Sequence, residues 1–244
     1  MLNYYQDLHH KTSEQKIHVY WLAQTTGDVP AGDDWMAAGE AARLNAMHIP
    51  KRRSDFRLGR WTARQALTAC PDVSTGAVEV RARAGGAPEV LINGAPARCT
   101  VSISHSAGAA LCAISPMGAN LGCDIEVVEP RGPEFVETFY TEREQFRVKN
   151  VPEDERALLT TIIWSAKESA SKMLGVGLRL DTRSVEVSLL AGEPARPWNT
   201  LEVTCDEGRM FHGWWRLQQN HILTIIASPP PAVPLELATG VSAS

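Results

Sequence analysis

Two short echoes constrain the fold of this chain more than any single motif. Trp61-Thr62-Ala63-Arg64 is matched in kind by Trp164-Ser165-Ala166-Lys167, and Ala110 to Pro116 (ALCAISP) by Leu223 to Pro229 (LTIIASP). Each tetrapeptide lies on a helical pattern, and each helical pattern precedes a set of short apolar runs that read as strands. One helix and several strands, used twice, predict two similar α+β halves meeting near residue 120. Four-residue echoes also arise by chance. If the repeat is real, the strand after residue 120 lies where the halves join, a common place for a ligand cleft.

Local signals supply the elements. Ile17 to Leu22 reads as a strand, and a helical stretch rich in alanine follows near Asp34 to Met47. Ser54 is the expected N-cap of a helix running to Ala69, stopped before Pro71. Val78 to Arg83, Val90 to Ile92, Thr100 to His105, Ala110 to Ser115 and Leu121 to Val128 are strand candidates, with a turn at Asn93-Gly94. Phe135 to Tyr140 is helical, and Thr141 opens another helix. Pro152 to Leu174 is the longest helical pattern, ended by Gly175 and Gly177. Val185 to Leu189, Leu201 to Cys205, Met210 to Gln218 and His221 to Ala227 read as antiparallel strands. The expected organisation is a flexible N-terminus (1–16), an N-terminal half (17–119), a C-terminal half (120–228) and a disordered tail (229–244) opened by Pro229-Pro230-Pro231.

A chain of 244 residues with 44% hydrophobic content has enough apolar surface for a real core. A formal charge of -4 argues against a nucleic-acid partner, since such proteins carry a basic excess. The five cysteines form no C-x-x-C pair and no zinc spacing, and Cys112 and Cys123, in apolar strand-like runs, read as buried reduced thiols. No signal peptide opens the sequence and no apolar run is long enough to span a membrane, which makes the cytoplasm the expected compartment.

Several residues have the types and spacing that chemistry needs. On the strand Leu121 to Val127, Asp124 and Glu126 share the face opposite Leu121, Cys123 and Ile125. Paired carboxylates on one face repel unless a cation or basic group offsets them, and they suit a hard divalent ion. An exposed strand face is the bland alternative. On the long helix, Glu168 and Lys172 are one turn apart, opposite the stripe Leu159, Ile162, Ile163, Ala166, Ala170 and Met173. Trp164 on that polar face implies cover by a ligand or by another element. Arg53, Arg57, Arg60 and Arg64 form one helical stripe with no acid in it, which points either to a solvated face or to an anion site. Ser102, Ser104 and Ser106 alternate with Val101, Ile103 and His105, so His105 shares the apolar face at a strand end. Thr141-Glu142-Arg143-Glu144 fits a capping box, which by itself accounts for Glu144.

Taken together these motifs resemble the Sfp-type 4'-phosphopantetheinyl transferases. The family pattern runs G-R-x-x-x-R, S-H-S, G-x-D-x-E, then W-S-x-K-E-x-x-x-K. Here it reads Gly59-Arg60…Arg64, Ser104-His105-Ser106, Gly122…Asp124…Glu126, and Trp164-Ser165…Lys167-Glu168…Lys172. The resemblance covers about residues 50–180. It implies an α+β fold of two similar halves related by a pseudo-twofold, with coenzyme A and Mg²⁺ in the cleft between them. Asp124, Glu126 and Glu168 are then the implied metal ligands, and Lys172 the group that holds the pyrophosphate. Glu144 aligns with a family glutamate proposed as general base; a metal-bound hydroxide or Glu168 could take the same proton. Arg64, Ser104 and His105 are expected along the coenzyme A, with Arg60 a further candidate and Asp124 beside the pyrophosphate. The family's usual Gly-Lys-Pro is Gly86-Ala87-Pro88 here, which leaves Arg83 or Arg53 to supply the missing charge.

The expected activity is Mg²⁺-dependent transfer of 4'-phosphopantetheine from coenzyme A to a serine of an apo acyl or peptidyl carrier protein, releasing adenosine 3',5'-bisphosphate. Such carriers serve fatty-acid, polyketide and nonribosomal-peptide synthesis, and the sequence does not select among them. A monomer suffices if the two halves form the cleft. The rival readings are another metal-dependent phosphate-cleaving enzyme and a catalytically silent coenzyme A-binding protein on the same fold.

Overall fold

The computed structural model describes residues 16–83, 85–177, 181–190, 197–205 and 208–238. Its elements run β1 (Tyr20–Thr25), α1 (Ala38–Asn45), α2 (Pro50–Ala69), β2 (Val78–Ala82), β3 (Pro88–Ile92), β4 (Ala95–Pro96), β5 (Thr100–Ser106) and β6 (Ala109–Ser115). They continue with β7 (Asn120–Val127), α3 (Pro133–Phe139), α4 (Glu142–Asn150), α5 (Glu153–Leu174), β8 (Val185–Leu189), β9 (Asn199–Cys205), β10 (Met210–Gln218), β11 (His221–Ser228) and β12 (Leu235–Glu236).

The repeat is visible in the topology. One sheet has the order β12-β1-β6-β5, and another the order β7-β11-β10-β9-β8. Thus β1-β6-β5 corresponds to β7-β11-β10, with antiparallel pairing at every step of both series. The two tetrapeptide echoes lie on α2 and α5, and the two ALCAISP-like segments lie on β6 and β11. The protein is therefore an α+β fold of two similar halves. A small sheet, β2-β3-β4, is added to the first half. Its β3-β4 turn places Asn93 and Gly94 at positive φ (52° and 79°), as an Asn-Gly hairpin requires.

Each half has its own core and the two share a third. Ala63, Ala66 and Leu67 of α2 pack on Leu22, Val101, Cys112 and Ile114. Ile163, Ala166, Ala170 and Met173 of α5 pack on Val185, Val187, Leu201 and Ile226. Between the sheets, Trp21, Leu111 and Ala113 of the first half meet Cys123, Ile125, Trp214, Leu223 and Ile225 of the second. That shared apolar layer fixes how the halves face one another, and so where the strand β7 at the junction sits.

Two expectations are corrected. Helix α2 begins with Pro50 at its first position, not after Ser54. A proline there has its φ already helical and lacks only an N–H that the helix could not have paired. The stretch after Pro229-Pro230-Pro231 does not leave the fold as a tail. Ile17 bridges Pro231, β12 pairs parallel with β1, and Leu237 is buried with its N–H on the Trp21 carbonyl. The open edge of β1 offered unpaired backbone groups, and this segment satisfies them. Residues 1–15 and 239–244 lie outside the described residues, so the remaining part of each expected terminal segment does as well.

Candidate active site

The site forms where β7 lies directly against α5, and a glycine makes that approach possible. A Cβ on Gly122 would stand 1.9 Å from the Ser169 carbonyl oxygen and 2.7 Å from the Met173 nitrogen. Only glycine fits there. The strand's alternation then puts Asp124 and Glu126 on the same α5-facing side as Gly122, and Cys123 and Ile125 in the shared core.

Asp124 is 3% exposed and meets Lys172 from the last turn of α5. Lys172 Nζ donates to Asp124 Oδ1 (2.8 Å), Ser104 Oγ (2.8 Å) and the Cys123 carbonyl (3.0 Å), which uses all three of its protons. Ser104 Oγ donates to the same Asp124 Oδ1 at 2.6 Å. Asp124 Oδ2 is buried with no hydrogen-bond partner. Glu126 accepts from Trp164 Nε1 (3.2 Å) on one oxygen and from Ser106 Oγ (3.3 Å) on the other. Glu168 is half-buried and has no hydrogen-bond or ion-pair partner among the described residues.

The electrostatics show that these groups act on one another. Burial pushes Glu126 and Glu168 above the usual carboxylate range, and the charge of Asp124 pushes both further. Burial disfavours the Lys172 ammonium, yet Asp124 outweighs it and holds that pKa above the ordinary lysine value. An unpartnered carboxylate oxygen, two carboxyls strained by a third, and one ammonium among them make an acid-rich pocket short of positive charge. Among the described residues no group of three or more His, Cys, Asp or Glu side chains is placed to hold a metal ion. Lys172 instead occupies one oxygen of the carboxylate that a cation would share.

Lys172 also lines a cleft of about 490 Å³ between the halves. Arg83, Ala87, Pro88, Ser102 and Ile103 form one wall, and Leu121, Ser171 and Met173 the other. The segment Gly86-Ala87-Pro88 therefore borders the cleft, and so does Arg83.

Two family models divide the chain between them. The model of the 4'-phosphopantetheinyl transferase N-terminal domain matches residues 40–115, and that of the 4'-phosphopantetheinyl transferase superfamily matches residues 120–225. The chain belongs to the 4'-phosphopantetheinyl transferase superfamily. It is accordingly a transferase. A curated relative, the 4'-phosphopantetheinyl transferase HetI of Nostoc sp. (strain PCC 7120), is 26% identical over 179 residues, spanning 70% of this chain and 75% of the relative. Among solved structures, the Thermotoga maritima holo-[acyl-carrier-protein] synthase (AcpS) is similar at 17% identity with a TM-score of 0.36. That match covers 45% of this chain and 62% of that one.

Not every expected residue joins the site of this 4'-phosphopantetheinyl transferase. Glu144 is fully buried and fully employed: it accepts from Thr141 N–H, Val187 N–H and Lys167 Nζ, the last at 2.8 Å. The structure thus places the expected general base in a buried ion pair, and not among the residues that line the inter-half cleft. Its partner Lys167 lies in the W-S-x-K-E motif and is itself 0% exposed. The arginine stripe is not unpaired either. Arg53 donates to the Leu44 and Met47 carbonyls, and Arg57 to Asp33 and nearby carbonyls. Arg60 and Arg64 both lie beside buried Glu40 of α1, at 3.6 and 3.9 Å, and Arg64 also donates to the Val78 carbonyl. The missing acid comes from another helix, which a one-helix pattern does not reveal. His105 is half-exposed, faces Gly59 of α2 and lies 4.0 Å from Asp55.

The sequence reading missed Arg131. Its guanidinium stacks on Phe135 (4.7 Å) and Trp164 (5.6 Å), lies 3.6 Å from Glu126, and has two buried nitrogens without hydrogen bonds. The cover over Trp164 is therefore another element, α3 with Arg131. A lone arginine in a loop gave no periodic signal by which to find it.

Proposed function

We propose that this transferase moves the 4'-phosphopantetheine group of coenzyme A to a serine of a carrier protein, with a divalent cation, Mg²⁺, held by Asp124, Glu126 and Glu168. The observation that carries this reading is the buried, unpartnered Oδ2 of Asp124, whose other oxygen is held by Lys172 of the inter-half cleft wall. Carboxylate oxygens suit a hard cation. When bound, the cation would offset charge on the pyrophosphate.

The residues divide the remaining work. Lys172, at the cleft wall, exchanges one of its three present hydrogen bonds for a pyrophosphate oxygen and stabilises charge as the bond breaks. Arg83, rather than Arg53, stands in for the absent lysine of Gly86-Ala87-Pro88, because Arg83 lines the cleft and Arg53 does not. Ser104 keeps Lys172 and Asp124 together. Arg64 and His105 remain as outer contacts for the cofactor, while Arg60, buried against Glu40, is withdrawn from that list. In the reaction the carrier serine Oγ forms a bond to the phosphorus next to the pantetheine, and the pyrophosphate P–O bond breaks. Glu168 takes the serine proton. Adenosine 3',5'-bisphosphate leaves.

Both walls of the cleft come from one chain, so we infer that a monomer is competent. No helix among the described residues is long and apolar enough to cross a membrane. Mass spectrometry of an apo-carrier incubated with the protein, coenzyme A and Mg²⁺ tests the reading. A gain of one phosphopantetheine is expected, with adenosine bisphosphate released only when carrier is present. No gain with folded Asp124→Ala is also expected. Release of adenosine bisphosphate without carrier would replace this reading with a hydrolase.

A further inference from the structure

All three carboxylates of the candidate cation site belong to the C-terminal half: Asp124 and Glu126 on β7, Glu168 on α5. The N-terminal half contributes hydroxyls. Strands β5 and β7 are edge strands of different sheets and share no main-chain ladder. Serine side chains close the seam instead. Ser102 Oγ accepts from the Cys123 N–H at 2.9 Å, Ser104 Oγ donates to Asp124 Oδ1 at 2.6 Å, and Ser106 Oγ donates to Glu126 Oε2 at 3.3 Å. The pleat sets these serines on one face of β5, so they meet successive positions of β7 like rungs. One rung ends on backbone and two end on carboxylates.

Ser106 is the rung with a single task. Ser104 is shared with Lys172, and Ser102 holds the strand itself. Among the described residues the hydroxyl of Ser106 reaches only Glu126. With Trp164 Nε1 on Oε1, it tethers that carboxylate at both oxygens, from both halves of the molecule. A glutamate has three rotatable side-chain bonds, and one left with the Trp164 hydrogen bond and the 3.6 Å Arg131 contact alone is ordered in larger part by the ion it binds.

We propose that Ser106 is a positioning residue for the cation site, through which the N-terminal half presents the Glu126 carboxylate. This rests on the reading that Asp124, Glu126 and Glu168 hold a divalent cation. Ser106 contacts neither the cation nor the reacting atoms; it acts through Glu126 alone.

The test uses the full chain and Mn²⁺ without coenzyme A, with free Mn²⁺ followed by electron paramagnetic resonance. Ser106→Ala should raise the Mn²⁺ dissociation constant about three- to tenfold, the effect of one modest hydrogen bond. Ser106→Thr keeps the hydroxyl and should restore affinity to within about twofold of the parent. Ser102→Ala should lower the melting temperature and leave Mn²⁺ affinity unchanged, since its rung ends on backbone. In the transfer assay, Ser106→Ala should need more metal for half-maximal turnover yet reach the parent's turnover at saturation. Parental Mn²⁺ affinity in Ser106→Ala overturns the proposal. So does an equal loss in Ser102→Ala, or a threonine variant that fails to recover. If the parent itself binds no Mn²⁺, the cation reading falls first and the positioning role falls with it.

Discussion

At the scale of the residue, Glu144 shows how burial overrides a motif. Its carboxylate has no exposure and holds the equally buried Lys167, whose charged form is disfavoured by desolvation and restored in part by Glu144. Removing one member of such a pair leaves a buried charge alone, at about 3–5 kcal/mol. Glu144→Gln keeps the capping geometry but should lower the melting temperature by on the order of 10 °C, with turnover per folded molecule unchanged. Calorimetry combined with the carrier assay checks this; a parental melting temperature with collapsed turnover would return Glu144 to the chemistry. Glu168 is the opposite case. Its folded-state pKa is raised, first by burial and then by Asp124. Below the usual carboxylate range the group is protonated in both folded and unfolded chains and imposes no penalty. As pH rises through the folded pKa, the folded state must carry an unfavourable charge and loses stability. Glu168→Gln should therefore raise the melting temperature of the metal-free protein near pH 7, with the gain vanishing below about pH 4. Melting curves across that range decide it, and an equal gain at every pH would point to packing instead.

At the scale of the element, the contact between β7 and α5 governs the site. The helix buries its apolar stripe on the second sheet, and Ser165 and Ser169 bond Thr224 of β11, which fixes its rotation. Lys172 then faces β7 as a consequence of the register that packing sets. Gly122 is the point of closest approach, and an added methyl meets backbone atoms of α5 that have no side-chain freedom to move aside. Gly122→Ala should shift the helix, separate Lys172 from Asp124 and abolish transfer. It should also cost several kcal/mol, roughly the scale of overpacking a tight core. Circular dichroism melts and the carrier assay measure both effects; a variant as stable and active as the parent would show that the two elements have room to part.

At the scale of the whole molecule, the halves are joined by the shared apolar layer, by the serine seam and by the C-terminal segment. Residues 230–237 return along β1, placing Leu237 in the first half's core and the Pro231 carbonyl on Trp214 Nε1 of the second. Deleting residues 230–244 should therefore lower the melting temperature by about 5 °C or more, since each kcal/mol corresponds to roughly 2–4 °C at this size. No change would assign those residues the role of a dispensable tail. We propose the division between the halves at residues 119 and 120, where the chain leaves β6 for β7 and the correspondence of strand order restarts.

The sequence by itself determined what is periodic or repeated. Alternation along residues 121–127 separated Asp124 and Glu126 from the core, and helical spacing paired Glu168 with Lys172. Two short echoes revealed the doubled α+β plan. Those signals depend on backbone geometry, which repeats every two residues in a strand and every 3.6 in a helix. Only the tertiary structure decided which side chains meet across the fold. Glu40 beneath the arginines, Lys167 on Glu144, Arg131 against Glu126 and the three serines along β7 are contacts between residues distant in the chain. No period encodes them; packing of the shared core brings them together, and burial then decides whether each charged group is free to bind or already has a partner.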